Sequence, residues 1–126
     1  MVLVDSDVLI WILRGHTGAA QMLLAQDDLA ASVVARLELL RGVRSAAEKR
    51  HMLDVLDRYR FKTFALTPAI GARALTLLDE IGLANAIDVS DCLIAATALE
   101  HNLPLVTGNI KHYGVIRGLK LQAFRA

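Results

Sequence analysis

Four side chains in this sequence could do chemistry together: Asp5, Glu38, Asp91 and Asn109. Three carboxylates and an amide are hard oxygen donors. With no histidine or cysteine cluster beside them, such a set selects Mg²⁺ or Mn²⁺ over zinc. An acidic pocket holding such an ion is suited to phosphate chemistry. The ion neutralises the carboxylates, activates a water and stabilises the leaving oxygen of an in-line displacement. Each acid also has an ordinary reading. Asp5 can be a helix N-cap, and Glu38 can be the i,i+3 partner of Arg41. The chemical reading requires a fold that gathers all four residues into one crevice.

The elements around them supply such a fold. Val2 to Val4 is a short apolar run rich in β-branched residues, the pattern of a strand buried on both faces, and Asp5 stands at its end. Ser6 or Asp7 can cap the helix that follows, which carries Val8, Trp11 and Ile12 at helical spacing and closes at Gly15. Thr17 to Gln26 reads as a helix with Thr17 as cap, and Leu29 to Ala31 as a second strand. Ser32 caps a helix from Val33 to Arg41, stopped by Gly42. Glu38 lies in it, with Leu37 and Leu40 on the adjacent, core-facing stripe. A long charged helix runs from Ser45 to about Arg60. Phe64 to Leu66 is a third strand, and Thr67-Pro68 opens a helix that ends at Gly82. Asp88 or Ser90 caps the next helix, which places Asp91 in its first turn above the stripe Ile94, Ala95, Ala98 and Leu99. Leu103 to Val106 is another strand, leaving Thr107-Gly108-Asn109 at its carboxyl end. Leu119 to Phe124 alternates as an edge strand does.

Strands alternating with helices predict an α/β fold, three-layered α/β/α with a mostly parallel sheet, as one domain over residues 1–126. In such sheets the crevice lies outside the carboxyl ends of the strands. Asp5 and Thr107-Gly108-Asn109 sit at two of those ends, and Glu38 and Asp91 can reach it from helices.

Composition narrows the classes. Hydrophobic residues make up 55% of 126, and mean hydropathy is +0.44. That is more apolar surface than one small core hides, so an apolar partner face is expected. The longest stretch free of charge, Gly15 to Gln26, is too short to span a bilayer. The N-terminus carries Asp5 and Asp7 and no basic region, unlike a signal peptide. A lone cysteine, Cys92, excludes an internal disulfide and fits a reducing, cytoplasmic setting. Net charge is +1, so attraction for a polyanion must be local. Between Arg36 and Lys62 there are eight Lys and Arg against four acids, the one basic region.

Four segments in order, Leu-Val-Asp5-Ser-Asp-Val-Leu-Ile, Glu38-Leu-Leu-Arg-Gly42, Asp91-Cys-Leu-Ile-Ala-Ala-Thr-Ala and Leu-Val-Thr107-Gly-Asn109-Ile-Lys-His-Tyr113, closely resemble PIN-domain ribonucleases. More narrowly, they resemble VapC-type toxins of toxin–antitoxin modules. The resemblance covers essentially the whole chain. It implies a PIN-like fold and a Mg²⁺-dependent endoribonuclease, with Mn²⁺ able to substitute. It also implies a homodimer held inactive by a small antitoxin protein. Asp5, Glu38 and Asp91 match the family's acids and metal ligands. Asn109 matches a fourth position that is acidic in many members and Asn in many others, and Asp88, one turn before Asp91, could compensate there. Ser6 and Thr107 match hydroxyl positions that orient the acids. Arg41 and Arg44, following Glu38, are expected to contact RNA phosphates.

Two other readings compete. A receiver-type phosphoacceptor domain needs an acceptor Asp after its third strand, where this chain has Leu66-Thr67-Pro68. A PIN fold that only binds RNA or a partner would have lost a core acid, and none of the three is lost.

Overall fold

In the computed structural model, which describes residues 1–126, β1 (Val2–Val4) is the middle strand of a five-stranded sheet. The others are β2 (Leu29–Ser32), β3 (Lys62–Phe64), β4 (Leu105–Thr107) and β5 (Leu121–Ala123), in the order β3-β2-β1-β4-β5. All four pairings are parallel, so the sheet is parallel throughout. Seven helices connect and cover it: α1 (Ser6–Leu13), α2 (Thr17–Leu24), α3 (Val33–Gly42), α4 (Ala46–Arg58), α5 (Pro68–Ile81), α6 (Val89–Glu100) and α7 (Ile110–Tyr113). Every residue of β1 and β4 is buried, as strands with helices on both faces must be. The architecture is the expected three-layer α/β fold.

Strand order fixes where a crevice opens. From β1 the chain moves outward to β2 and β3, then returns to the other side for β4 and β5. The order therefore reverses between β1 and β4, and ligand crevices of open α/β sheets lie at that switch point. Val4 pairs with Val106 there, and the Asp5 N–H donates to the Val106 carbonyl at 2.9 Å. The next residue on each strand, Asp5 and Thr107, is thereby brought to the same edge of the sheet.

Local chemistry sets most helix starts. Ser32, Ser45, Thr67 and Asp88 each accept from a backbone N–H in the first turn, and Pro68 holds the first position of α5. Gly15 (φ 77°) and Asn102 (φ 53°) turn the chain after α1 and α6 in the left-handed region. Small residues keep α6 close to the sheet: Ala95, Ala96 and Ala98 are fully buried.

Four expectations are corrected. The cap of α1 is Asp5, not Ser6 or Asp7. The cap of α2 is His16, whose Nδ1 accepts from the Ala19 N–H at 3.0 Å, and Thr17 is the first helical residue. β3 is Lys62–Phe64, not Phe64 to Leu66, because its register follows hydrogen bonding to Ala30–Ser32 and leaves Ala65 and Leu66 exposed. In α3 the inward stripe is Val34, Ala35 and Leu39, whereas Leu37 and Leu40 are 57% and 40% exposed.

Candidate active site

Asp5 is the deepest acid of the protein, 5% exposed. Its two oxygens have separate partners. Oδ1 accepts from the Ser6 N–H at 2.8 Å, and Oδ2 accepts from the Thr107 hydroxyl at 2.8 Å. The cap reading of Asp5 is therefore correct, and the same side chain is also the acid at the switch point. Thr107 Oγ1 accepts in turn from the Asn109 N–H at 3.0 Å, so one hydroxyl couples the ends of β1 and β4.

Asp91 approaches from the N-terminus of α6. There Asp88 and Asp91 form a capping box: Asp88 Oδ1 accepts from the Asp91 N–H at 2.9 Å, and Asp91 Oδ2 faces the Asp88 N–H at 3.4 Å. Glu38 is exposed on α3. It makes no ion pair with Arg41, which removes its ordinary reading. The Ser6 hydroxyl is close enough to favour its charged form.

These acids raise one another. Burial, then the charge of Asp7, pushes Asp5 from its ordinary 3.8 up to about 6, against the hydrogen bonds from Thr107 and Ser6, and the Asp91 charge adds to the rise. Asp91 is raised by burial and then by Asp88. Glu38 is raised by partial burial, with smaller contributions from Asp88 and Asp91. No lysine or arginine pairs with any of these acids. The one cation candidate is His112, whose Nδ1 is 3.6 Å from Asp91 Oδ2.

Asn109 does not reach the carboxylates. Its side-chain nitrogen meets His112 Nδ1 at 2.8 Å. Arg44 lines a cleft of about 500 Å³ together with Glu38, Ile10, Arg14 and His51. Arg41 is exposed on α3 outside that lining.

Three contributors escaped sequence reasoning. Asp7 Oδ2 accepts from the Gly108 N–H at 2.9 Å and strengthens the field at Asp5. Its position two residues after Asp5 was a signal, since a turn that buries one carboxylate holds its neighbour close. Tyr113, fully buried, donates its hydroxyl to Asp91 Oδ1 at 3.2 Å, and burial followed by the Asp5 charge raises its phenol strongly. Arg14, beyond α1, adds a cation to the Glu38 cleft. Neither Tyr113 nor Arg14 is conspicuous by spacing.

The donor chemistry fits a hard divalent cation: carboxylate oxygens only, none of them ion-paired to a lysine or arginine. The carboxylates are not closed into a ligand shell. No three acidic, histidine or cysteine side chains converge closely enough to hold an ion as they stand. Glu38 is exposed and has no ion partner.

Comparison with known proteins shows the family. A PIN domain profile matches residues 2–116. Ribonuclease VapC10 of Mycobacterium tuberculosis is 40% identical over 124 residues, covering 95% of this chain and 91% of that protein. The chain belongs to the PIN domain family and, within it, to the VapC ribonucleases. A toxin–antitoxin complex from Klebsiella pneumoniae contains a chain 27% identical, with a TM-score of 0.77 over 94% of this chain and 95% of that one. VapBC2 from Rickettsia felis, solved on a DNA fragment from its promoter, superimposes with a TM-score of 0.82 at 23% identity, over 99% of this chain and all of that one (100%). At that identity the likeness shows the fold.

Proposed function

We propose that this protein is a metal-dependent endoribonuclease, the toxin of a toxin–antitoxin module, working with Mg²⁺ and accepting Mn²⁺. The reading is carried by Asp5 at the β1/β4 switch point, which feels the charge of Asp91 as Glu38 does, with no lysine or arginine ion-paired to any of the three. A bound divalent cation would supply Lewis acidity toward an RNA phosphodiester and its attacking water. Asp5, Glu38 and Asp91 would hold it. Thr107 and Ser6 keep Asp5 oriented, and the Ser6 hydroxyl favours ionised Glu38. Asp88 anchors the α6 terminus that carries Asp91, and its carboxylate is a candidate fourth donor where Asn109 turns to His112. Arg44 and Arg14, which line the Glu38 cleft, and Arg41, exposed on α3, are our candidates for contacts to phosphates of the strand.

The Klebsiella toxin–antitoxin complex supports an antitoxin partner. Exposed Leu37, Leu40, Leu75 and Leu83 supply apolar surface for such a partner and for a homodimer. No helix is long and apolar enough to cross a membrane, and we assign the protein to the cytoplasm on its single cysteine and its family. The test is incubation of the purified protein with defined tRNA and rRNA fragments. Internal cleavage with Mg²⁺, leaving 5′-phosphate and 3′-hydroxyl ends and abolished by EDTA, is the expected result. Binding without cleavage would establish the non-catalytic alternative.

A further inference from the structure

Tyr113 is the largest fully buried side chain in the protein, and it ends in a polar atom set among carboxylates. A buried tyrosine hydroxyl needs a hydrogen-bond partner. Here that partner is Asp91 Oδ1, 3.2 Å away, and Asp5 is close enough to compete for the same hydroxyl. The other Asp91 oxygen is engaged only at long range, by the Asp88 N–H at 3.4 Å and His112 Nδ1 at 3.6 Å. The phenol thus takes one Asp91 oxygen closely, and the other keeps only the long capping-box contact and His112. The scaffold makes this possible. α7 is a single turn anchored on the β4 end, where the Tyr113 N–H donates to the Asn109 carbonyl at 3.3 Å and His112 meets the Asn109 side chain. The same turn that fixes Asn109 drives Tyr113 inward beneath α6.

We propose that Tyr113 is a positioning residue for the cation site: its hydroxyl engages Asp91 Oδ1 and leaves Oδ2, held only at long range, as the oxygen a cation would take. This inference rests on the metal-dependent reading above. It assigns Tyr113 no part in the bond-breaking step, only the orientation of a ligand. Groups that orient metal ligands from behind typically contribute about 10–100-fold in metal affinity when removed.

The experiment is a calorimetric Mn²⁺ titration of metal-free parent and Tyr113→Phe, which keeps the buried ring and deletes one oxygen. We expect the Mn²⁺ Kd of Tyr113→Phe to rise by about 10-fold or more. RNA cleavage should fall at limiting Mn²⁺ and return at saturating Mn²⁺, with the KM for RNA unchanged. In an Asp91→Asn background, Tyr113→Phe should add nothing to the loss of affinity. A purely structural tyrosine would change the melting temperature and leave the Mn²⁺ Kd alone, and that outcome overturns the inference while the metal reading stands. A parent protein that takes up no Mn²⁺ would overturn both. A cleavage defect that saturating Mn²⁺ does not restore would also contradict a positioning role.

Discussion

Asp5→Asn is expected to make the metal-free protein more stable while destroying its site. Asp5 is almost fully buried and lifted from 3.8 to about 6. Each unit of that displacement corresponds to about 1.4 kcal/mol, so the ionised side chain costs the fold roughly 3 kcal/mol. The penalty is complete above the folded value near 6 and disappears as pH falls toward the unfolded value near 3.8. Asparagine removes the charge at nearly constant shape. It keeps one acceptor for the Ser6 N–H but loses the second, charge-assisted bond from Thr107, which costs about 1–2 kcal/mol. The balance is a gain of roughly 1–2 kcal/mol at neutral pH, or about 5 °C in Tm for a domain of this size. The assay is a set of circular-dichroism melts of both proteins in EDTA across the pH range. The gain should be present above pH 6, shrink through the interval below it and vanish or reverse near pH 4. Asparagine caps a helix as well as aspartate does, so a residue serving only as the α1 cap would show no gain. A flat difference across pH, or a less stable Asp5→Asn above pH 6, would refute the reasoning.

The remaining expectations are smaller in scope. A Cβ on Gly108 would stand 2.8 Å from Asp7 Oδ2 and 3.2 Å from the Phe124 carbonyl; Gly108→Ala should therefore destabilise by about 1–3 kcal/mol in melts, and prior Asp7→Ala should return part of that loss. Neutralising Arg41 and Arg44 should weaken binding to all RNA sequences alike and lower the salt slope by roughly 0.7 per lost contact, with Arg44, which shares the Glu38 cleft, contributing more; an altered sequence preference at unchanged slope would contradict this. Light scattering at tens of micromolar should find a dimer, and a monomer there would argue that the exposed leucines serve the antitoxin alone.

Much of this fold was legible because its signals are local. Caps at Ser32, Thr67 and Asp88 depend on one side chain and the next turn of backbone, and a buried parallel strand such as Val2–Val4 announces itself by composition. What was not legible depends on distant partners. His16 caps α2 while lying against the rings of Trp11 and Phe124, and Phe124 is contributed by the far end of the chain. Edge strand β3 takes its register from β2, so its apolar run Ala65-Leu66 falls outside it. Leu37 and Leu40 read as core because they are leucines, yet α3 turns Val34, Ala35 and Leu39 inward. The site divides the same way. Asp5, Asp91 and Thr107 stand out as polar residues at element ends, whereas the contribution of Tyr113 exists only because α7 folds back under α6.

The central claim is that Asp5, Glu38 and Asp91 act as one metal-dependent site. Its most direct test is cleavage of a single defined RNA, with Mg²⁺ and with EDTA, by the parent, Asp5→Asn, Glu38→Gln, Asp91→Asn and the double variant Asp5→Asn/Asp91→Asn, each shown to be folded by its melt. The account predicts cleavage by the parent in Mg²⁺ alone. Each single variant should lose nearly all of it, and the double variant should be no worse than either parent single variant, because ligands of one site fail together. Undiminished cleavage by Asp91→Asn, or by the parent in EDTA, would contradict it.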